Sequence, residues 1–168
     1  MIILGIDPGI GLTGYGVVEE QKSHAALLEH GCIRTPAHAP LPERLKLIFQ
    51  GLDALCRRFT LDCVAVEQLF FNTNVTTALA VGQARGVAVL VAAQHGLEVV
   101  EYTPLQVKQA VTGYGRADKT QVQRMVQSLL GLKDIIRPDD AADAVAICLC
   151  HLQSYRYRRA VSKGERNV

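Results

Sequence analysis

Ile2-Ile3-Leu4-Gly5-Ile6-Asp7-Pro8-Gly9 follows the first methionine, and the rest of the chain is read outward from it. An apolar run that ends on a carboxylate reads as a central strand covered on both faces. Pro8-Gly9-Ile10-Gly11 is a turn. Thr13 to Glu20 mixes small and β-branched residues and reads as a second strand, and residues 25–34 make a third. The short connections between these three imply an antiparallel meander.

Beyond the meander the pattern changes to helices between strands. Pro42 opens a helix whose apolar positions Leu45, Ile48, Leu52, Leu55 and Phe59 form one stripe. Asp62 to Glu67 is a second buried strand that ends on a carboxylate. Residues 74–95 read as a helix that is apolar nearly all round, so it needs cover on more than one side. Glu98 to Tyr102 is a short strand, and Pro104 begins a helix that Gly113 ends. Asp118 to Leu130 is an amphipathic helix with Val122, Met125, Val126, Leu129 and Leu130 on one side. Asp139 to about Tyr157 is the last helix. Hairpins first and helical crossovers later predict an α/β fold: a five-stranded mixed sheet with helices on both faces.

The chain has 168 residues, a one-domain length, and 49% of them are hydrophobic, which excludes wholesale disorder. Residues 1–155 are expected to form the domain and 156–168 a basic, disordered tail. No apolar run reaches the roughly 18–20 residues that span a bilayer. The N-terminus lacks the basic start of a secretory signal. Cys32, Cys56, Cys63, Cys148 and Cys150 show no CxxC spacing and read as reduced thiols of a cytoplasmic protein. The net charge of +2 hides an asymmetry: residues 151–168 carry +4 and the remainder −2. A polyanion would therefore be held by placed groups rather than by a generally basic surface.

Asp7 and Glu67 each stand at the C-terminal end of an apolar strand, which is where open α/β sheets bind ligands. Asp140 and Asp143 are three apart on a predicted helix and share a face. Ala141, Ala142, Ala144 and Ala146 around them allow that helix close to the sheet. Carboxylates gathered in this way need a counter-cation, and hard oxygen ligands suit Mg²⁺, with Mn²⁺ as a substitute. Two such ions would stabilise the attacking and leaving oxygens of a phosphodiester. Asp139, after Pro138, reads as an N-cap. It also forms an i, i+4 pair with Asp143, so spacing alone leaves the register of the helical ligands open; Asp140 is taken as the first, with Asp143 as its partner.

Gly9-Ile10-Gly11-Leu12-Thr13-Gly14 matches G-x-G-x-x-G, but it leads into a strand, whereas a dinucleotide site needs a helix N-terminus there. These glycines are read as allowing a tight hairpin and close approach of a bulky substrate. Lys108 and Lys119 flank a loop, Gly113-Tyr114-Gly115-Arg116, and with Arg116 would make a phosphate-binding edge. Phe70 and Phe71 cannot both face the core of a regular strand, so Phe70 is assigned to stacking on a base and Phe71 to anchoring the loop. The five histidines show no metal-ligand spacing. His151 alone is placed on the side of the presumed site, as a packing residue.

Gly5-Ile6-Asp7-Pro8-Gly9, Val66-Glu67-Gln68 with Phe70, and Gly82-Gln83-Ala84-Arg85-Gly86 occur in that order. Gln106-Val107-Lys108-Gln109, Asp118-Lys119 and Asp140-Ala141-Ala142-Asp143-Ala144 follow. With these motifs, the chain resembles the RuvC family of Holliday junction resolvases, crossover junction endodeoxyribonucleases of the ribonuclease H-like superfamily, over roughly residues 2–152. The resemblance implies a Mg²⁺-dependent homodimer that nicks a four-way DNA junction symmetrically in recombination and repair. It also implies a partnership with the RuvA–RuvB branch-migration complex. It assigns Asp7, Glu67, Asp140 and Asp143 as acidic site residues, and Lys108 and Lys119 as functional lysines. Two rivals are weaker. A two-lobed sugar-kinase or actin-like ATPase needs more chain, and a non-catalytic junction binder would have no use for the full acidic set.

Overall fold

In the computed structural model, which describes residues 1–22, 24–68 and 75–164, the strand Ile2–Asp7 (β1) lies in the middle of a sheet. The elements that follow are β2 (Leu12–Gln21), β3 (His24–Arg34), α1 (Leu41–Arg58), β4 (Cys63–Glu67) and α2 (Val75–Gln94). Then come β5 (Glu98–Tyr102), α3 (Pro104–Thr112), α4 (Lys119–Leu129) and α5 (Asp139–Gly164). The described residues form one five-stranded sheet in the order β3-β2-β1-β4-β5. β1, β2 and β3 pair antiparallel, whereas β4 joins β1, and β5 joins β4, in parallel. This is the mixed sheet that the change from hairpins to crossovers predicts.

Alternation along the strands divides the core in two. Leu4, Ile6, Val17, Val64 and Val66 face α1 and α2, where Ile48, Leu52, Ala84, Ala88 and Val91 cover them. Ile3, Val18, Cys63 and Ala65 face the other way, against α3, α4 and α5. Gly5 and Asp7 share a side with Ile3, and Glu67 shares a side with Ala65. The period-2 pattern therefore sends both strand-end carboxylates to the α5 face.

α5 comes unusually close to that face. A Cβ at Gly5 would stand 2.2 Å from the Ala144 carbonyl oxygen, and one at Gly14 would stand 2.0 Å from the Asp140 carbonyl oxygen. Ala141, Ala142, Ala144 and Ala146 are fully buried in the same contact. The alanines on the helix and the glycines on the strands together allow this approach. Gly14 thus makes room for the helix backbone, not for a substrate as the glycine loop suggested. Gly14 pairs with Asp7 in register, which fixes the first turn of α5 beside Asp7. The turn between them is tied down as well: buried Thr13 donates its hydroxyl to the Gly9 carbonyl at 2.7 Å, and the Thr35 hydroxyl donates to the Ile10 carbonyl.

Three helix details differ from expectation. On α4 the buried positions are Val122, Gln123 and Val126, while Met125 and Leu129 are exposed, because α5 covers a narrower stripe than the amphipathic pattern drew. α5 runs to Gly164, past the predicted end near Tyr157, so residues 156–164 are helical, not a disordered tail. No glycine or proline interrupts it before Gly164, and Arg156 is tied to Glu20 and to the His24 carbonyl. At its other end the Pro138 carbonyl accepts from the Ala142 N–H, which places Asp139 inside the first turn instead of at the N-cap.

Gly14→Ala is expected to destabilise the protein by about 1–3 kcal/mol, the usual penalty for overpacking a filled contact. A glycine-to-alanine change with room for the methyl is stabilising, by about 0.4–1 kcal/mol. The sign therefore decides: a thermal midpoint at or above the parent's would show that α5 does not rest on Gly14.

Candidate active site

Four acidic side chains occupy the C-terminal ends of β1 and β4 and the first two turns of α5. Asp7 ends β1 and Glu67 ends β4, with Ile6 and Val66 paired just before them. Their charges act on one another. Burial and then the charges of Glu67, Asp143 and Asp140 push the Asp7 carboxyl from 3.8 up to about 7. Burial and then Asp143 push Glu67 from 4.5 to about 7. Burial also raises Asp143, against the pull of Lys119. Asp140 acts on Asp7 and on the thiol of Cys32 in β3, whereas Asp143 acts on Asp7 and Glu67. Asp140 also acts on Asp143, so Asp7 and Asp143 are each coupled to the other three acidic side chains.

Two lysines stand against this group. Glu67, Lys108, Lys119 and Asp143 line a pocket of about 200 Å³, floored by Pro104, Val107, Val122 and Ala146. Both lysines act to lower the Glu67 pKa. Lys119 Nζ lies 3.1 Å from Asp143 Oδ2 and 3.6 Å from Asp139 Oδ2. Burial would lower the Lys119 pKa, but the hydrogen bond to Asp143 and the charges of Asp143, Asp139 and Asp140 outweigh it and hold the group above its ordinary value. Capping boxes at Thr103–Gln106 and Asp118–Gln121 fix where α3 and α4 begin, and hence where the two lysines project.

The structure therefore brings together Asp7, Glu67, Asp140, Asp143, Lys108 and Lys119. Arg116 is exposed in the loop before α4 and is not among the residues lining the pocket. Phe70 and Phe71 lie outside the described residues. His151 is not on this side. It is buried at the opposite end of the sheet, with Nε2 3.4 Å from Cys63 Sγ and Nδ1 3.0 Å from the Tyr102 hydroxyl. Its place follows from helix rise: eleven residues beyond Asp140, at about 1.5 Å each, carry the chain the depth of the sheet.

Sequence reasoning missed a further part of the site. The Gln123 amide donates to Asp139 Oδ1 at 2.9 Å, and Arg137 donates to the same oxygen. The Gln123 bond, with Arg137 and Lys119, holds the Asp139 carboxyl below its ordinary range. The available signal was a glutamine next to the apolar stripe of α4, where an aliphatic residue would serve packing better.

The donor set fits a hard divalent cation. Burial first, and then neighbouring carboxylates, raise Asp7 and Glu67 to about 7 against the pull of the lysines, and the four acidic side chains offer hard carboxylate oxygens. Among the described residues, no three His, Cys, Asp or Glu side chains yet stand close enough to enclose an ion. Glu67 and Asp143 face the same pocket, and Lys119 rests on Asp143.

Raised carboxyl pKa values mean that the folded state binds more protons than the unfolded chain between about pH 4 and 7. This contribution to stability is complete below pH 4 and is lost as the pH rises through 7. Without divalent cations, the thermal midpoint should fall between pH 5 and pH 8, by a few degrees at about 2–4 °C per kcal/mol. Asp7→Asn should flatten the fall, and 5 mM Mg²⁺ should reverse it at pH 8. A midpoint that rises with pH in the metal-free protein would contradict the crowding of these carboxylates.

The fold and the acidic edge can be set beside known proteins. The family model for crossover junction endodeoxyribonuclease RuvC matches residues 3–151. A crossover junction endodeoxyribonuclease RuvC of Desulfitobacterium hafniense is 57% identical over 154 residues, covering 92% of this chain and 93% of the relative. The solved Thermus thermophilus RuvC superposes with a TM-score of 0.86 at 40% identity, covering 94% of this chain and 96% of the other. A second structure, T. thermophilus RuvC in complex with Holliday junction substrate, gives a TM-score of 0.86 at 37% identity, with the same coverage. Among the described residues, no helix is long and apolar enough to cross a membrane. With the sheet order and helix layers in agreement, and relatives 57% and 40% identical covering more than nine-tenths of it, the chain belongs to the RuvC family of crossover junction endodeoxyribonucleases.

Proposed function

We propose that the acidic edge is the nuclease centre and that it resolves four-way DNA junctions, as a homodimer, by symmetric paired nicks. The observation that carries this reading is the pair of carboxyls held near pH 7 at the strand ends, with two lysines on the rim of the same pocket. Family membership supplies the substrate class, and the T. thermophilus relative solved with its Holliday junction substrate supports it. The nuclease unit is residues 1–155, with α5 continuing beyond it as a basic extension. The setting is the cytoplasm, with the RuvA–RuvB machinery as partner.

In this reading Asp7, Glu67, Asp140 and Asp143 are the residues that would hold two Mg²⁺ ions, with Asp7 and Asp143 each coupled to the other three carboxylates. When bound, the ions supply activation of the attacking water and stabilisation of the departing 3′ oxygen. The chain's own groups do the rest. Glu67 is the carboxylate nearest to both lysines in influence, and Lys108 and Lys119 present ammonium groups to the scissile phosphate. Arg116 extends the positive edge along the loop. Phe70 is assigned to a base next to the crossover.

A junction has approximate two-fold symmetry, so two copies of the site related by a C2 axis meet two equivalent strands. α2 offers a face for such pairing. Leu79 is 64% exposed and Leu90 52% exposed, and with exposed Gly86 they share one side of the helix, away from the sheet. Two large apolar residues three turns apart, left uncovered on a helix already packed on its other side, suit a second copy of α2.

Asp7→Asn should retain junction binding in a gel-shift assay while plasmid cruciform nicking in Mg²⁺ falls at least about a hundredfold, the scale of losing an essential electrostatic group. Near-parent cleavage would rule out the assignment. Leu90→Glu should convert the protein to monomers in sedimentation equilibrium. A dimer of unchanged affinity would remove α2 from the interface.

A further inference from the structure

One carboxylate near the pocket has no part in the proposed metal set. Lys119 is shared between Asp143 Oδ2 at 3.1 Å and Asp139 Oδ2 at 3.6 Å. Asp143 is a proposed ligand and Asp139 is not. The two oxygens of Asp139 have separate tasks. Oδ1 is fixed to the scaffold by Gln123 Nε2, at 2.9 Å, and by Arg137. Oδ2 is left to face Lys119. Gln123 is 5% exposed, and a buried amide whose donor goes to a surface carboxylate sets that carboxylate's direction.

A cation arriving at Asp143 competes with the Lys119 ammonium for the same oxygen. The ammonium must give way, and a lysine with a single partner would then swing into water on its flexible stem. A second carboxylate one helical turn before Asp143 prevents this. We propose that Asp139, oriented by Gln123, is a positioning residue that keeps Lys119 over the pocket when a metal ion takes Asp143. The proposal rests on the metal-site reading above. It concerns where Lys119 goes, not whether the ion binds.

The test uses the full-length protein without DNA. Mn²⁺ is titrated calorimetrically into the parent, Asp139→Asn, Lys119→Met and the double variant. Asp139→Asn should weaken Mn²⁺ binding about threefold, the scale of a half-exposed ion pair. Most of that loss should vanish in the Lys119→Met background, because no ammonium is left to be rehoused. Equal losses in both backgrounds would overturn the proposal, since Asp139 would then act only through its charge. In the Mg²⁺-loaded protein, proton exchange at the Lys119 ammonium, followed by nitrogen-15 NMR, should be slow in the parent and fast in Asp139→Asn. Asp139→Glu should restore slow exchange. Gln123→Leu, which leaves the Asp139 charge in place, should speed it. Fast exchange in the loaded parent would overturn the proposal even if Asp139→Asn folds poorly. A parent that binds no Mn²⁺ would instead overturn the metal-site reading itself, which separates the two failures.

Discussion

The close seating of α5 on β1 and β2 sets the geometry of everything at the active edge. Two strand positions without side chains, Gly5 and Gly14, let the helix backbone lie where a methyl group would collide. Hydrophobic burial on the same face supplies the force, through Ile3, Val18, Ala65 and the alanines of α5. The glycines decide how near that force can bring the helix. At a usual helix-to-sheet spacing of about 10 Å, Asp140 and Asp143 would lie farther from Asp7, and their charges would be screened from it.

Close seating has an electrostatic consequence. Two unit charges about 6 Å apart at an effective dielectric constant of about 20 repel by roughly 3 kcal/mol. An exposed ion pair returns about 0–1 kcal/mol. The partly exposed lysines on the rim therefore cannot neutralise the carboxylates, and Asp7 and Glu67 stay near pH 7 in spite of them. A compact divalent charge can meet the deficit. Apolar packing thus gathers negative charge that the lysines leave uncompensated, the kind of charge a divalent ion would meet.

Much of this was legible in the chain. The apolar run to Asp7, the hairpin spacing and the later crossovers define the sheet, and the strand-end positions of Asp7 and Glu67 follow from period-2 alternation. The alanines around Asp140 and Asp143 signalled a close helix. Other features were misread because local pattern has no knowledge of neighbours. Gly14 looked like part of a ligand loop, yet its missing Cβ is needed by a helix more than a hundred residues later. Met125 and Leu129 looked like core, but α5 covers only part of that stripe. Asp139 looked like an N-cap, and its real partners, Gln123 and Lys119, lie on another helix.

What the sequence determined by itself was the set of elements, the side of the sheet each strand residue faces, and the strand-end positions of Asp7 and Glu67. All of these depend on periodicities that hold over a few residues. Only the tertiary structure decided which carboxylate feels which, where Lys119 rests, and which glycines serve packing. Those outcomes depend on distances of a few ångströms between segments far apart in the chain, and Coulomb and contact energies change over just that range.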